Sequence, residues 1–229
     1  MKIFGDWVIK NEEQRIEASL RSLLPHIDKA LVVDTGSTDD TLDIVHSVKE
    51  DFPYLDVITG VDIGPNKEMA IARNVGLRNC PPEYWLNETT WYMETAGDEV
   101  YDHTISNLRA TMAAIEDNII WVYTWGRDWH INEDTQEPYI LNPKFGRPRL
   151  YRHIDGMLWR GIWNRERIVY PIQGSYFQYE RVDDRTKLYK DADIWYDHYG
   201  WADSKRVERL AEYVRLDRLV KLGEIPHPE

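Results

Sequence analysis

Two short acidic stretches in this chain are spaced as ligand-binding loops. The first, Val32-Val33-Asp34-Thr35-Gly36-Ser37-Thr38-Asp39-Asp40-Thr41, sets a carboxylate at the carboxyl end of a short apolar run, then a glycine turn, then a helix start. In an open α/β sheet that edge is where ligands sit. Asp34 can accept hydrogen bonds there from a base or a ribose, and the glycine lets backbone come close to a ligand. The same residues also read as an ordinary strand-to-helix turn with a capping cluster. Asn11-Glu12-Glu13 ends the preceding strand, so it opens onto the same sheet edge. The second stretch, Ala96-Gly97-Asp98-Glu99, follows another short apolar run. An acid pair at such a point either binds a divalent cation or starts the next helix. His198, in Asp197-His198-Tyr199-Gly200-Trp201, is a metal ligand or, as most lone histidines are, a structural or exposed side chain.

The elements that must position these residues alternate short apolar runs with amphipathic segments, the pattern of βαβ units on a mostly parallel sheet. The spacing predicts strands over 3–9, 30–33, 55–61 and 91–94, and helices over 11–24, 41–49, 67–77 and 104–115. A further strand is expected over 119–125, followed by a polar loop over 128–144. The later Pro-, Arg- and Trp-rich segments carry no helical period until 203–222, where Val207, Leu210, Val214, Leu216, Leu219 and Val220 predict a final helix ending at Gly223. The fold class expected is α/β, in one domain with two halves, about 1–125 for the ligand and about 126–229 as an irregular second half closed by the C-terminal helix.

Composition narrows the chemistry. The 229 residues are 42% hydrophobic, enough for one substantial core. A net charge of −12 disfavours attraction to nucleic acid or anionic lipid. No window approaches a membrane span, and the opening MKIFGDWVIKNEEQR has charges where a signal peptide needs an apolar run, so a cytoplasmic protein is expected. The single Cys80 excludes an internal disulfide and a multi-thiolate metal site, so any metal would be held by carboxylate and imidazole, which suits a hard divalent ion. Ten Trp and fourteen Tyr stand against four Phe. Aromatics with a polar edge suit sugar-binding clefts, and equally a Trp-rich core.

The order Lys10-Asn11-Glu12-Glu13, then Val33 through Asp39, then Ala72-Arg73-Asn74 resembles the N-terminal half of glycosyltransferase family 2. That family's fold is the GT-A type, a Rossmann-like open mixed sheet flanked by helices. The resemblance implies transfer of a sugar from a nucleoside diphosphate sugar, a UDP-sugar, to a hydroxyl acceptor, with inversion and with a divalent cation, Mn2+ or Mg2+. It implies that Asn11, Glu13 and Asp34 surround the nucleotide and that Arg73 faces the nucleotide or its diphosphate; otherwise Arg73 is a surface charge on a helix. The family's metal motif is two acids one position apart, often followed by Glu. Asp98 and Glu99 match it, but Ala96 stands in place of the first acid, with Glu94 two residues upstream as the nearest further carboxylate. Asp98 then serves both donor and metal.

The His-Tyr-Gly element at 198–200 resembles one that closes the catalytic region in one branch of the family, which makes His198 a further metal ligand. Arg149-Leu150-Tyr151-Arg152 through Trp159-Arg160-Gly161-Ile162 resembles the same branch, where a His-Glu pair follows the glycine; Trp163-Asn164 stand there instead. Glu166 and Asp155 are then the nearest carboxylates to take the acceptor proton, unless they pair with Arg160, Arg165 and Arg167. The acceptor is left open between glycan, lipid-linked and peptide hydroxyls. A reading from a different class is a degenerate, non-catalytic nucleotide-sugar-binding protein, on the missing acid and the missing His-Glu pair. A nucleotidyltransferase is disfavoured, because 4–15 lacks a Gly-rich phosphate loop with a trailing basic residue.

Overall fold

Strand β1 (Lys2–Ile9) is buried from Ile3 to Ile9, on both faces, because it lies between two parallel neighbours. The computed structural model describes residues 1–65, 68–87, 89–132, 134–160, 167–172, 175–178 and 189–201. Helix α1 (Ile16–Leu23) buries Ile16, Leu20 and Leu23, an i, i+4, i+7 stripe. It starts at Ile16 and not at residue 11, because Asn11 takes a left-handed φ of 56° that no helix can continue through. The chain proceeds through β2 (Lys29–Asp34), α2 (Thr41–Asp51), β3 (Leu55–Ile58), α3 (Met69–Arg78), α4 (Pro82–Asn87), β4 (Thr90–Ala96), β5 (Glu99–Tyr101) and α5 (Leu108–Ala113). There follow β6 (Trp121–Ile131), β7 (Pro138–Arg152), β8 (Leu158–Arg160), β9 (Arg167–Ile172), β10 (Ser175–Gln178) and β11 (Tyr189–Trp201).

The main sheet has the order β3-β2-β1-β4-β7-β6-β11-β5, and β8 to β10 form a second, three-stranded sheet. The strands β1 to β4 are parallel, whereas β7 runs antiparallel to both β4 and β6. The architecture is therefore the open mixed sheet flanked by helices that was expected. Apolar side chains seal it from both sides. On one face Val45 and Val48 of α2, Leu108 and Met112 of α5 and the α1 stripe pack on Trp7, Trp91 and Met93. On the other, Ala70, Ala72 and Leu77 of α3 cover Phe4, Val33 and Tyr92. Each large side chain so buried stabilises the fold by about 1.5–3 kcal/mol.

Two expectations are corrected. The stretch 128–144 is no loop: it is most of the β6–β7 hairpin, with Trp125 opposite Gly146, Trp129 opposite Ile140 and Ile131 opposite Pro138. The polar residues belong to its half-exposed strands and its turn, where the Asn132 side chain accepts from the N–H groups of Asp134 and Thr135 at 2.9 and 3.0 Å. The described residues of the second half are accordingly strand-rich. In addition, β5 was not expected; it follows β4 almost at once yet pairs with β11 at the far edge, which curls the sheet back on itself. The helix expected over 203–222 lies outside the described residues. Among the described residues no helix is long and apolar enough to cross a membrane.

Gly76 lets α3 sit directly on β1: a Cβ there would meet the carboxylate of Asp6, which is wholly buried. Helix propensity alone would favour Gly76→Ala by about 1 kcal/mol. Overpacking a rigid core costs about 1–3 kcal/mol, and here the displaced neighbour is a buried charge. The expected result is a lower urea midpoint for Gly76→Ala; a midpoint at or above the wild type would show that helix and strand can separate freely.

Candidate active site

The order β3-β2-β1-β4 reverses direction at β1, so a crevice opens outside the carboxyl ends of β1 and β4. Three loops meet there. The loop after β1 is stitched to the loop after β2: the Asn11 N–H donates to Ser37 Oγ at 2.8 Å, the Thr38 N–H to Asn11 Oδ1 at 2.7 Å and the Asp40 N–H to Glu13 Oε2 at 3.2 Å. Asp34 is buried, and its carboxylate accepts from the N–H groups of Gly36 and Ser37 at 2.9 and 3.1 Å and from the Ser37 hydroxyl. Gly36 has a φ of 98°, which this tight turn requires. In this structure Asp34 therefore shapes the loop. Asn11, Glu13 and Asp34 are brought together at one edge.

The loop after β4 closes the crevice from the other side. A Cβ on Gly97 would lie 2.7 and 2.9 Å from Cγ and Cβ of Glu12, so the absence of a side chain is what lets the two loops touch. The backbone of this turn is held from three elements: the Thr95 carbonyl accepts from Arg73 at 3.1 Å, that of Ala96 from Ser19 Oγ at 2.9 Å and that of Asp98 from the Tyr199 N–H at 3.0 Å. The last of these brings β11 and its histidine to the site. His198 Nε2 lies 3.6 Å from Asp98 Oδ2, and its Nδ1 lies 2.7 Å from Asp128 Oδ1. Burial alone would lower the pKa of His198, but the carboxylates of Asp98 and Asp128 outweigh it and hold the imidazole above its ordinary value.

Behind the Asp98 turn lies a buried charge network. Arg73 Nη2 binds Glu94 at 2.6 Å and its Nη1 lies 3.6 Å from Asp6, while Arg149 binds Glu94 at 2.5 Å and also Glu99. Tyr92 donates its hydroxyl to Asp6. Burial would raise the Glu94 carboxyl, yet Arg149 and Arg73 together hold it below the usual range. Glu99 has Arg149 but also the like charges of Glu94 and Asp98, and burial leaves it raised.

Burial likewise pushes Asp6 from 3.8 to about 6, against the pull of Arg73. A carboxyl raised on folding binds a proton more tightly in the native state, so its contribution to stability is fullest below pH 4 and falls as pH rises through 6. The difference amounts to roughly 3 kcal/mol. Urea unfolding of wild type and Asp6→Asn should therefore show the wild type losing ground to the variant between pH 4 and 7; a constant difference would count against this titration.

The network corrects two assignments. Arg73 is neither a surface charge nor open to a diphosphate: its side chain is 6% exposed and bound to Glu94 and to the Thr95 carbonyl. Glu94 is bound by two arginines, so it does not stand in for the acid missing at Ala96. A third correction concerns Asp155. Because β7 is antiparallel to β4, Arg152 pairs with Trp91 and the His153 N–H donates to the Thr90 carbonyl, so Asp155 emerges exposed near the amino end of β4. That is a full strand length, about 20 Å, from the Asp98 edge. Glu166, with Trp163, Asn164 and Arg165, lies outside the described residues. Sequence reasoning missed Asp128 and the role of Arg149; the alternating aromatics of 121–131 before the polar Asn132-Glu133-Asp134 run were the strand-and-turn signal that could have found Asp128.

Comparison with known proteins decides the family. The model of glycosyl transferase family 2 matches residues 8–163, from the end of β1 through the Asp98 turn and β7. The chain belongs to glycosyl transferase family 2. No curated protein matches it. Among solved structures, this family 2 chain is similar to S. aureus TarS, at 22% identity and a TM-score of 0.44 over 56% of this chain and 22% of that one. It is also similar to mannosyltransferase PcManGT from Pyrobaculum calidifontis in complex with GDP-Man and Mn2+, at 23% identity and a TM-score of 0.42 over 53% and 34% of the two chains. Glucosyl-3-phosphoglycerate synthase from Mycobacterium tuberculosis gives 20% identity and a TM-score of 0.41 over 55% and 44%. The matched part thus spans less than half of each of these proteins.

Proposed function

We propose that this family 2 protein transfers a hexosyl group from a nucleoside diphosphate sugar, a UDP-sugar, to a hydroxyl acceptor, with inversion and with a divalent cation. The observation that carries the reading is the convergence of Asp98 and His198, 3.6 Å apart, at the crevice edge that Asn11, Glu13 and Asp34 also line. The side chains fit such an ion. Carboxylate and imidazole suit Mn2+ or Mg2+, which complete their shell with substrate phosphates. Asp128 on the far nitrogen of His198 orients the ring as a carboxylate behind a metal-bound histidine does. When bound, the cation would neutralise the diphosphate leaving group.

In the proposed reaction the loops after β1 and β2 hold the nucleoside, with Asn11, Glu13 and Asp34 around it. The acceptor oxygen attacks the anomeric carbon as the bond to the diphosphate breaks, and its proton passes to a carboxylate, for which Glu166 is the candidate. The acceptor is a glycan, lipid-linked or peptide hydroxyl, and we place the reaction in the cytoplasm. We read the chain as one transferase domain with a donor half and an acceptor half.

One observation favours a second reading, a sugar-nucleotide-binding protein without turnover: Ala96 stands where the family's metal motif has its first acid, and Trp163-Asn164 stand where its His-Glu pair would follow. Release of UDP from a UDP-sugar with Mn2+, abolished in Asp98→Ala, supports transfer. Binding of UDP with neither hydrolysis nor transfer supports the second reading.

A further inference from the structure

The segment 95–98 comprises the last two residues of β4 and the two-residue turn into β5, with Glu94 of β4 before it and Glu99 of β5 after it. Arg149, reaching in from β7, binds both, with Nη1 2.5 Å from Glu94 Oε2 and Nη2 on Glu99 Oε1. All three side chains are buried. A guanidinium is planar and its donors form a rigid fork, so a single arginine fixes the separation of two carboxylates in a way that a flexible ammonium does not. We infer that Arg149 is a positioning residue whose fork sets the spacing of Glu94 and Glu99 and so directs Asp98 toward His198.

The rest of the turn is arranged to transmit that spacing. Its carbonyls at 95, 96 and 98 are each held by a donor from a different element, so once the ends are fixed the turn has one path. Ala96 sharpens the requirement, since it leaves Asp98 without the motif's first acid while Glu99 is taken up by Arg149. The hydrogen bonds of Arg149 go to the two glutamates and not to Asp98, so it acts through the backbone. A residue that only neutralised buried charge would be replaceable by lysine; a residue that sets a distance would not.

The inference rests on the metal reading of Asp98 proposed above, and the test separates the two. In the chain as it stands, Arg149→Lys keeps the charge and loses the fork. Its crystal structure without metal should show Asp98 Oδ2 displaced by about 1 Å or more from its wild-type place beside His198. Calorimetry should show unchanged metal-free UDP affinity, but an Mn2+-dependent gain in UDP affinity cut by about tenfold, the usual scale for a group supporting a metal ligand. A turn superposing on the wild type, with the full Mn2+ gain, overturns the inference. Should the lysine variant fail to fold, Glu99→Gln loosens one end of the clamp and is expected to displace Asp98 in the same sense; an unmoved turn there overturns it equally. If wild type itself shows no Mn2+ gain, the metal reading falls, and the two crystal structures alone decide the role of Arg149.

Discussion

Asp98→Asn is expected to slow UDP release from a UDP-sugar by about 100- to 1000-fold in saturating Mn2+, since Lewis-acid stabilisation of a leaving group is worth several kcal/mol and each 1.4 kcal/mol is a factor of ten. Asparagine keeps the shape of the side chain, so the turn and its backbone hydrogen bonds should survive; what goes is the negative charge that a hard divalent cation requires. The size of the effect follows from Ala96. Where a second acid stood in the motif, it would retain part of the metal affinity, but on the proposed reading the nearby partner is His198, 3.6 Å away. UDP affinity measured without metal should stay within about twofold, which separates loss of the transition-state interaction from loss of ground-state binding. A variant retaining more than a tenth of the wild-type rate would remove Asp98 from the metal's shell. Equal inactivity of wild type and variant, with UDP still bound, would return the chain to the class of binding proteins.

The parts of the fold legible in the sequence are those whose signal is local. β1, β2 and β4 are short apolar runs ending in polar loops, and α1 and α3 carry their apolar stripes in plain view. Parallel strands all end at one edge, so Asn11, Asp34 and Asp98 could be placed together from strand direction alone. Direction also explains the failure at Asp155: nothing in its neighbourhood says that β7 runs against β4, and that reversal sends the residue to the opposite edge. β5 is three residues long and exists because β11, nearly a hundred residues later, pairs with it. Asp128 was hidden by its own polarity. In a half-exposed strand a charged residue looks like loop, and only the register of β6 with β11, which sets Asp128 opposite His198, gives it a role.

Arg73 shows how a motif can place a residue correctly along the chain and wrongly in space. If it bound the diphosphate, Arg73→Met would weaken UDP binding and leave stability nearly unchanged. The structure leads to the opposite expectation. Its guanidinium is buried, with Glu94 at 2.6 Å, the Thr95 carbonyl at 3.1 Å and Asp6 at 3.6 Å. Removing one partner from a buried ion network costs about 3–5 kcal/mol, because the charges left behind are unpaired. Two features should hold the cost toward the lower end of that range. Glu94 keeps Arg149, and Asp6, already raised to about 6 by burial, loses the pull of Arg73 and takes up a proton near neutral pH. Urea denaturation at pH 7 should thus show a loss of about 3 kcal/mol, a large part of the 5–15 kcal/mol that holds a typical domain folded. Adding Asp6→Asn should restore some of it, because one of the stranded carboxylates is then gone. A wild-type urea midpoint combined with weakened UDP binding would restore Arg73 to the diphosphate.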